Sequence, residues 1–312
     1  MKTPSRGLNG DERCPVCDSK MVRLLYMGID KVASRYGSDT RFRVRLNKCK
    51  SCGMLFLGKA DYDPERIHKA YWKMLTENLS DDYSVPTQHR KLLPKLVNDY
   101  RKTNRLFEIG CGDATLLRTF QASGWEVEGI DISEQASALA WDKYGLKVLC
   151  GQLDEKTARQ LGDHSFDVVV MWGLIEHLPD PRKMLQLSRL LLRKGGALII
   201  YTTNAKSIFY RLARISYYLS LKQFSFLMER VIIAMHYLYF SRETMRYFLQ
   251  SGDLKVREII MTDIDLDFIF KAHGHLWWSN RFFLVLTHIV QQIGTLGNMS
   301  SHMIALAEAS ST

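Results

Sequence analysis

Phe107-Glu-Ile-Gly-Cys-Gly-Asp113 ends an apolar run that begins at Leu106, and a helix-like stretch opens at Ala114. Asp131 follows Gly112 by nineteen positions, at the end of a second apolar run. Gly110 and Gly112 let the backbone come close to a ligand, and N–H groups at a helix start favour an anionic group. A carboxylate about 20 residues on, at the tip of the next strand, is placed to accept hydrogen bonds from two ribose hydroxyls. The pattern predicts a site for a nucleoside-containing cofactor. A dinucleotide fingerprint would carry a third glycine where Thr115 stands. Glu108 and Asp113 flank the glycines; they would face a pyrophosphate badly and suit a ligand with ammonium and sulfonium charges.

The flanking sequence alternates strands and helices. Strands are expected at Arg105–Ile109, Glu126–Asp131, Lys147–Cys150, Phe166–Met171, Ala197–Tyr201, Lys255–Met261 and His302–Ala307. Helices are expected at 115–123 and 134–144, stopped by Gly124 and Gly145, and after Asp180-Pro181, where Met184, Leu187 and Leu191 share one face and Gly195-Gly196 ends the helix. A further helix is expected over 277–293. Short links between such elements argue an open α/β sheet with ligands at the carboxyl ends of its strands.

Residues 166–181 read Phe-Asp-Val-Val-Val-Met-Trp-Gly-Leu-Ile-Glu-His-Leu-Pro-Asp-Pro, and Gly-Gly-Ala-Leu-Ile-Ile-Tyr-Thr-Thr-Asn follows at 195–204. This succession resembles the class I S-adenosylmethionine-dependent methyltransferases, in the branch with ubiquinone-type O-methyltransferases and sugar C-methyltransferases, over residues 85–205. The resemblance implies a seven-stranded Rossmann-like sheet, five parallel-type strands followed by an antiparallel pair at one edge. It also implies S-adenosylmethionine as cofactor. Gly110 and Gly112 would meet its methionine part, Glu108 and Asp113 its ammonium, Asp131 the ribose and Ile132 the adenine face. Gln152 and Leu153 fall where relatives contact the adenine edge, although many relatives have an acidic residue at the position of Gln152. Met171 and Trp172 would end their strand beside the sulfonium or serve the core.

Cys14-Pro-Val-Cys17 and Cys49-Lys-Ser-Cys52 are two CxxC pairs. Each puts two thiolates on one turn, and together they supply the four ligands of a closed structural zinc site. A redox role for one pair is the alternative; a disulfide framework would need an oxidising compartment. Arg43, Val44, Arg45 and Leu46 alternate as a half-buried strand would. Residues 1–60 therefore read as a zinc ribbon. Residues 61–84 read as a connecting helix, Pro64–Leu79, containing Tyr71 and Trp72, and 85–312 as the catalytic domain with a helical insertion over 205–240.

The 312 residues carry a net charge of +10, unevenly spread. Residues 1–60 hold 13 basic and 5 acidic side chains and residues 205–250 hold 7 and 2, whereas residues 61–204 hold 19 and 20. Basic segments around a neutral core suit anionic partners: a nucleotide-sugar, a lipid phosphate, a membrane surface or RNA. No apolar run reaches the ~18–20 residues of a membrane span, and the first residues lack a secretory apolar core, so a cytoplasmic location, with peripheral membrane contact allowed, is expected. Oligomeric state is not legible.

Methyl transfer is an in-line displacement that needs alignment and, for a hydroxyl acceptor, a base. His177 of the Glu-His pair is the first candidate base. His236, in Met-His-Tyr-Leu-Tyr-Phe-Ser-Arg-Glu-Thr, is the second, and Ser241 with Thr244 reads as a helix start. Tyr71, Tyr83 and Asn204 are further pocket candidates. In ubiquinone-type relatives a glutamate three residues before the Glu-His pair joins a metal site; Gly173 stands there, so no catalytic magnesium is expected. Within 206–230, Ser207, Arg211, Arg214 and Lys222 fall on one side of a helix with apolar faces elsewhere. That segment reads as a lid or as an interfacial helix reaching a lipid-linked substrate. The leading function is methyl transfer to oxygen or carbon of a small molecule: a sugar, glycoconjugate or quinone-like intermediate. An RNA methyltransferase with the ribbon as clamp, and a non-catalytic zinc-stabilised scaffold, are the competing readings.

Overall fold

The central place of residues Phe166–Trp172 in the main sheet follows from side-chain alternation. In Phe166–Trp172, Val169 and Met171 join one apolar cluster while Val168 and Val170 join another on the opposite face. A strand buried on both faces belongs in the middle of a parallel sheet. The computed structural model of the chain describes residues 12–30, 42–58, 85–233, 235–263 and 281–310. Three strands precede the sheet, β1 (Val22–Asp30), β2 (Phe42–Cys49) and β3 (Leu55–Leu57). The sheet is built from β4 (Arg105–Ile109), β5 (Glu126–Asp131), β6 (Val148–Cys150), β7 (Phe166–Trp172) and β8 (Leu192–Thr203), then, after the short β9 (Leu238–Tyr239), β10 (Leu254–Thr262) and β11 (His302–Ala309).

The seven-stranded order is β10-β11-β8-β7-β4-β5-β6. β6, β5, β4, β7 and β8 pair in parallel, and β11 runs antiparallel to both β8 and β10. The expected antiparallel pair is present at one edge, and within it β11 alone opposes the other six. Asp167, at the amino end of β7, accepts from the N–H groups of Lys102, Thr103 and Asn104 at 2.8 Å each and pairs with Arg193. That knot ties the amino ends of β4, β7 and β8 and leaves their carboxyl ends for the site.

Two expectations are corrected here. The helix after Asp180 stops at Leu191, and β8 starts at once at Leu192, so Gly195 and Gly196 lie inside the strand. The register jumps between Phe166↔Leu192 and Val168↔Ala197, and a Cβ on Gly196 would sit 3.0 Å from the carbonyl oxygens of Arg193 and Asp167. The glycines serve an irregularity in the strand rather than a helix stop. Among its described residues the basic insertion forms two helices rather than one continuous run, Ile208–Leu219, with Ser207 as N-cap, and the short Met228–Val231. Leu221 and Lys222 then take positive φ, so Lys222 leaves the polar face expected for it.

β1, β2 and β3 do not form a free-standing module. Their sheet has the order β1-β2-β3-β9, its last strand coming from the insertion. Leu25, Tyr26, Val44, Leu46, Leu55 and Leu57 share one apolar cluster with Tyr210, Ala213, Tyr217, Met228, Ile232 and Tyr239. Tyr26 meets Tyr217 edge to face at 5.2 Å. The inner side of helix Ile208–Leu219 thus covers the ribbon. The connecting helix, with Tyr71 and Trp72, together with Tyr83 and residues 277–280, lies outside the described residues; helix Arg281–Leu296 accounts for the rest of the helix expected there.

Candidate functional site

β4 delivers Glu108 and Gly110, and β5 delivers Asp131, side by side, because Glu108 pairs with Gly129 and Ile109 with Ile130 in parallel register. Gly110 has φ +71°, and a Cβ there would lie 2.9 Å from Leu174 Cδ1. The loop's own amides are already bonded: Gly110 N donates to Ile130 O at 2.8 Å, Gly112 N to Asp131 Oδ2 at 2.9 Å, and Ala114 N to Cys111 O at 2.9 Å. Ser133 N donates to the other oxygen of Asp131 at 2.9 Å. Asp113, just before the left-handed N-cap Ala114 of the following helix, accepts from Thr115 N and Oγ1, with Lys143 Nζ at 4.0 Å. A loop so satisfied has little to offer a pyrophosphate.

It has a carboxylate to offer a cation. Glu108 is 2% exposed, and its Oε2 is buried with no hydrogen-bond partner among the described residues. Burial, then the charges of Asp113 and Asp131, push its carboxyl well above the usual range. A raised folded-state pKa means stability that is full below the unfolded pKa and is lost as pH rises through the folded one. Glu108→Gln is therefore expected to melt at a higher temperature than the wild type at pH 8, with the gap closing at pH 5; equal melting curves at pH 8 would contradict the buried-carboxyl assignment.

Ile132 stands 65% exposed immediately after Asp131, a bare apolar side chain beside a buried acid. Gln152 is exposed, whereas Leu153 and Met171 are buried in the same core cluster as Ile109 and Ile130. Trp172 is occupied elsewhere: its ring stacks on Tyr201 at 4.0 Å and 7°, Tyr201 stacks on His302 at 5.1 Å, and His89 meets Trp172 edge to face. Asn204 is also occupied, donating to Ser300 O and accepting from Lys206 N.

Past β7 the chain turns at Gly173 (φ +62°) into one 3-10 turn, Ile175–His177. Glu176 points inward, accepting from Thr202 Oγ1 at 2.9 Å, and burial pushes its carboxyl up to about 7. His177 Nδ1 lies 2.9 Å from Met235 O. A carbonyl only accepts, so Nδ1 carries the proton and Nε2 the lone pair. His236 stands against it, the two rings edge to face with centroids 4.8 Å apart. The structure thus brings both sequence-predicted histidines to one place. Each of Glu176, His177 and His236 has a ligand atom within 4.8 Å of the others, a set able to hold a divalent cation despite Gly173.

Cys14, Cys17, Cys49 and Cys52 also converge, all four sulfurs within 4.8 Å of one another. Cys14 Sγ lies 3.5 Å from Cys52 Sγ, and Cys17 Sγ 3.5 Å from Cys49 Sγ, far beyond the ~2.05 Å of a disulfide. Cys52 N–H points at Cys49 Sγ at 3.5 Å. Four sulfurs from two turns fit a tetrahedral Zn²⁺ site. The other two cysteines lie apart from this cluster: Cys111 is buried, and Cys150 is exposed on β6, the edge strand of the sheet.

A family model described as "Methyltransferase domain" matches residues 82–259. The chain belongs to this methyltransferase family. Ubiquinone biosynthesis O-methyltransferases of Paraburkholderia phymatum and Aromatoleum aromaticum are 32% and 34% identical over 104 and 105 residues, in each case 32% of this chain and 44% of the relative. The chain thus spans under half the length of these curated relatives. Among solved structures, the Haloferax volcanii complex containing the Trm112 methyltransferase activator aligns at a TM-score of 0.51 and 15% identity, covering 80% of this chain and 96% of that one. The [4+2]-cyclase SpnF aligns at 0.50 and 14%, covering 80% and 98%. These likenesses concern the fold alone.

Within this methyltransferase domain, sequence reasoning did not find Met235, whose carbonyl orients His177, or Glu176 as a buried neighbour of Thr202. A backbone acceptor has no residue-type signature. The Glu176 signal was present, since a glutamate directly after Leu174-Ile175 in an apolar stretch has to be either exposed or paired.

Proposed function

We propose that the protein transfers the methyl group of S-adenosylmethionine to an oxygen or carbon of a small acceptor. The observation that carries this reading is the buried, unpartnered Glu108 oxygen beside a glycine loop whose amides are already bonded. Such a pocket favours a cationic amino-acid end over a pyrophosphate. Glu108 would hold the ammonium, Gly110 and Gly112 the methionine backbone, and Asp131 the ribose through its remaining lone pairs. Ile132 would cover one adenine face, with Gln152 and Leu153 at its edge. When bound, the cofactor supplies an electrophilic methyl group. His177 Nε2, with its partner proton held on Nδ1 by Met235 O, would take the acceptor's proton, and His236 would orient acceptor and base.

Calorimetry tests the cofactor. One S-adenosylmethionine per chain and no measurable NAD binding are expected, and Asp131→Ala should weaken binding by about 1–3 kcal/mol through lost charged hydrogen bonds. Unchanged affinity in that variant would remove the ribose role, and preference for NAD would remove the whole reading.

The acceptor we favour is anionic or lipid-linked: a sugar, glycoconjugate or quinone-like intermediate met at the cytoplasmic face of a membrane. From Phe282 to Ala307 the chain has no Asp, Glu, Lys or Arg, yet Val285, Ile289, Ile293 and Leu296 of helix Arg281–Leu296 are exposed. Ile215 and Leu219 are exposed on the outer side of helix Ile208–Leu219, whose segment carries the basic excess. An exposed apolar helix face without charge beyond Arg281, and with basic neighbours, suits the surface of an anionic bilayer. No described helix is long and apolar enough to cross one. Cosedimentation with phosphatidylglycerol vesicles that is lost in Ile289→Glu/Ile293→Glu is expected; retention in that variant would argue for a freely diffusing acceptor.

A further inference from the structure

The cysteine module and the histidine pair lie on parts of the chain far apart in sequence, and a continuous set of contacts joins them. Cys49 and Cys52 are followed directly by β3. Leu57 N donates to Tyr237 O at 2.8 Å, and β3 pairs Leu55 with Tyr239 and Phe56 with Leu238. β9 is two residues long and, among the described residues, pairs with β3 alone, at the edge of the ribbon sheet. From β9 the path runs back through Tyr239, whose Oη donates to Ile233 O at 2.9 Å and accepts from Ile233 N at 2.7 Å. His236 N closes the same turn by donating to Ile233 O at 3.0 Å. The turn so clipped presents Met235 O to His177 Nδ1 and the His236 ring to the His177 ring.

A two-residue strand does not hold its own position; isolated pairings of that length are marginal in water. The segment 235–239 is held at its far end by Ala205 N donating to Phe240 O at 2.7 Å, and along its length by the ribbon. We propose that the zinc ribbon is a positioning element for methyl transfer: through β3 and β9 it sets the Met235 carbonyl that fixes the proton of His177 on Nδ1, and it seats His236. Tyr239 and Leu57 are then positioning residues, and the metal acts on catalysis without approaching the substrate. The inference rests on the role given above to His177, and it needs no step at the metal itself. The four cysteines would hold Zn²⁺, which supplies rigidity to the two turns and through Cys52 to β3.

The test reads the imidazole tautomer directly. In whole protein labelled with [15N]histidine, with neither cofactor nor acceptor added, long-range proton–nitrogen correlation reports which ring nitrogen is protonated, and a His177→Gln sample assigns the signal. With zinc bound, His177 should be the Nδ1–H form; after removal of zinc by 1,10-phenanthroline it should move to a mixture dominated by the Nε2–H form. Leu57→Pro, which deletes the donor to Tyr237 and keeps all four cysteines, should give the same change with one zinc per chain, so wholesale unfolding is separable. Tyr239→Phe keeps the ring in the ribbon cluster and should retain zinc and cofactor affinity while kcat falls about 10- to 100-fold. A His177 tautomer indifferent to zinc and to Leu57→Pro, or wild-type kcat in Tyr239→Phe, overturns the coupling. Full turnover by a His177→Ala variant would instead remove the base, leaving the tautomer result standing as a statement about structure.

Discussion

His177→Ala is expected to lower kcat by a factor of about 10² to 10⁴, the usual worth of a positioned general base, which is about 3–5 kcal/mol of barrier. The expectation follows from the hydrogen bond to Met235 O, which leaves Nε2 as the basic atom. Cofactor affinity should stay within twofold, because Glu108 and Asp131 belong to β4 and β5 while His177 follows β7. The pattern to look for in single-turnover methyl transfer is a fall in rate without a change in cofactor dissociation constant, with partial recovery on adding imidazole to the truncated site. His236→Ala should cost less, since it supports the ring rather than holding the proton. A His177→Ala protein that transfers methyl groups within threefold of the wild-type rate would leave the acceptor's proton to solvent, as carbon or thiol acceptors allow.

Cys49→Ser carries the second large effect. Cys49 is fully buried, its N–H donates to Met54 O at 2.8 Å, and its sulfur faces both Cys17 Sγ and Cys52 N. Structural zinc contributes an apparent ~10–16 kcal/mol in small modules, as much as the whole stability of an ordinary domain. Elemental analysis should therefore fall from one zinc per chain to none. Amides of residues 42–58 should lose protection from hydrogen exchange together with those of 237–239, the strand they pair with. Protection in β4 and β7 should persist, because Phe107, Val168 and Val169 belong to clusters that extend well beyond the ribbon. Metal-free protein with a protected ribbon would refute a structural zinc.

The parallel part of the fold was legible because its signals are local. β4 and β5 begin and end where apolar runs meet Gly110 and Ser133, and Gly145 ends the helix Glu134–Tyr144 in a left-handed cap. The Asp180 and Ser241 caps were readable for the same reason, each accepting from a backbone N–H three residues on, whereas Ser207, expected on the polar side of its helix, caps that helix instead. What escaped was non-local. Nothing in Leu238-Tyr239 says that it pairs with Leu55-Phe56, since two apolar residues carry no period. Gly195-Gly196 misled because glycine marks a helix end and a strand irregularity alike, and only the close carbonyl oxygens of Arg193 and Asp167 distinguish them. Trp172 read equally well as a cofactor contact or as core; its stack with Tyr201 depends on which face of β7 it occupies, and that is decided by the neighbouring strands. At the candidate site, residue types pointed to the acid, the glycines, the histidines and the thiols, while the Met235 carbonyl beside His177 Nδ1 has no residue-type signature.

Completing the four-stranded sheet needs residues 238–239, which leave the ribosome long after residues 55–57. While the intervening chain is being made, β3 has an open edge with unpaired backbone groups and an apolar face that helix Ile208–Leu219 has yet to cover. An open edge of this kind is a docking line for other nascent chains. Early metal capture by the two cysteine turns would hold that segment in a short, curled form during the wait, so cells starved of zinc should accumulate the protein as aggregates formed during synthesis rather than as folded, metal-free molecules.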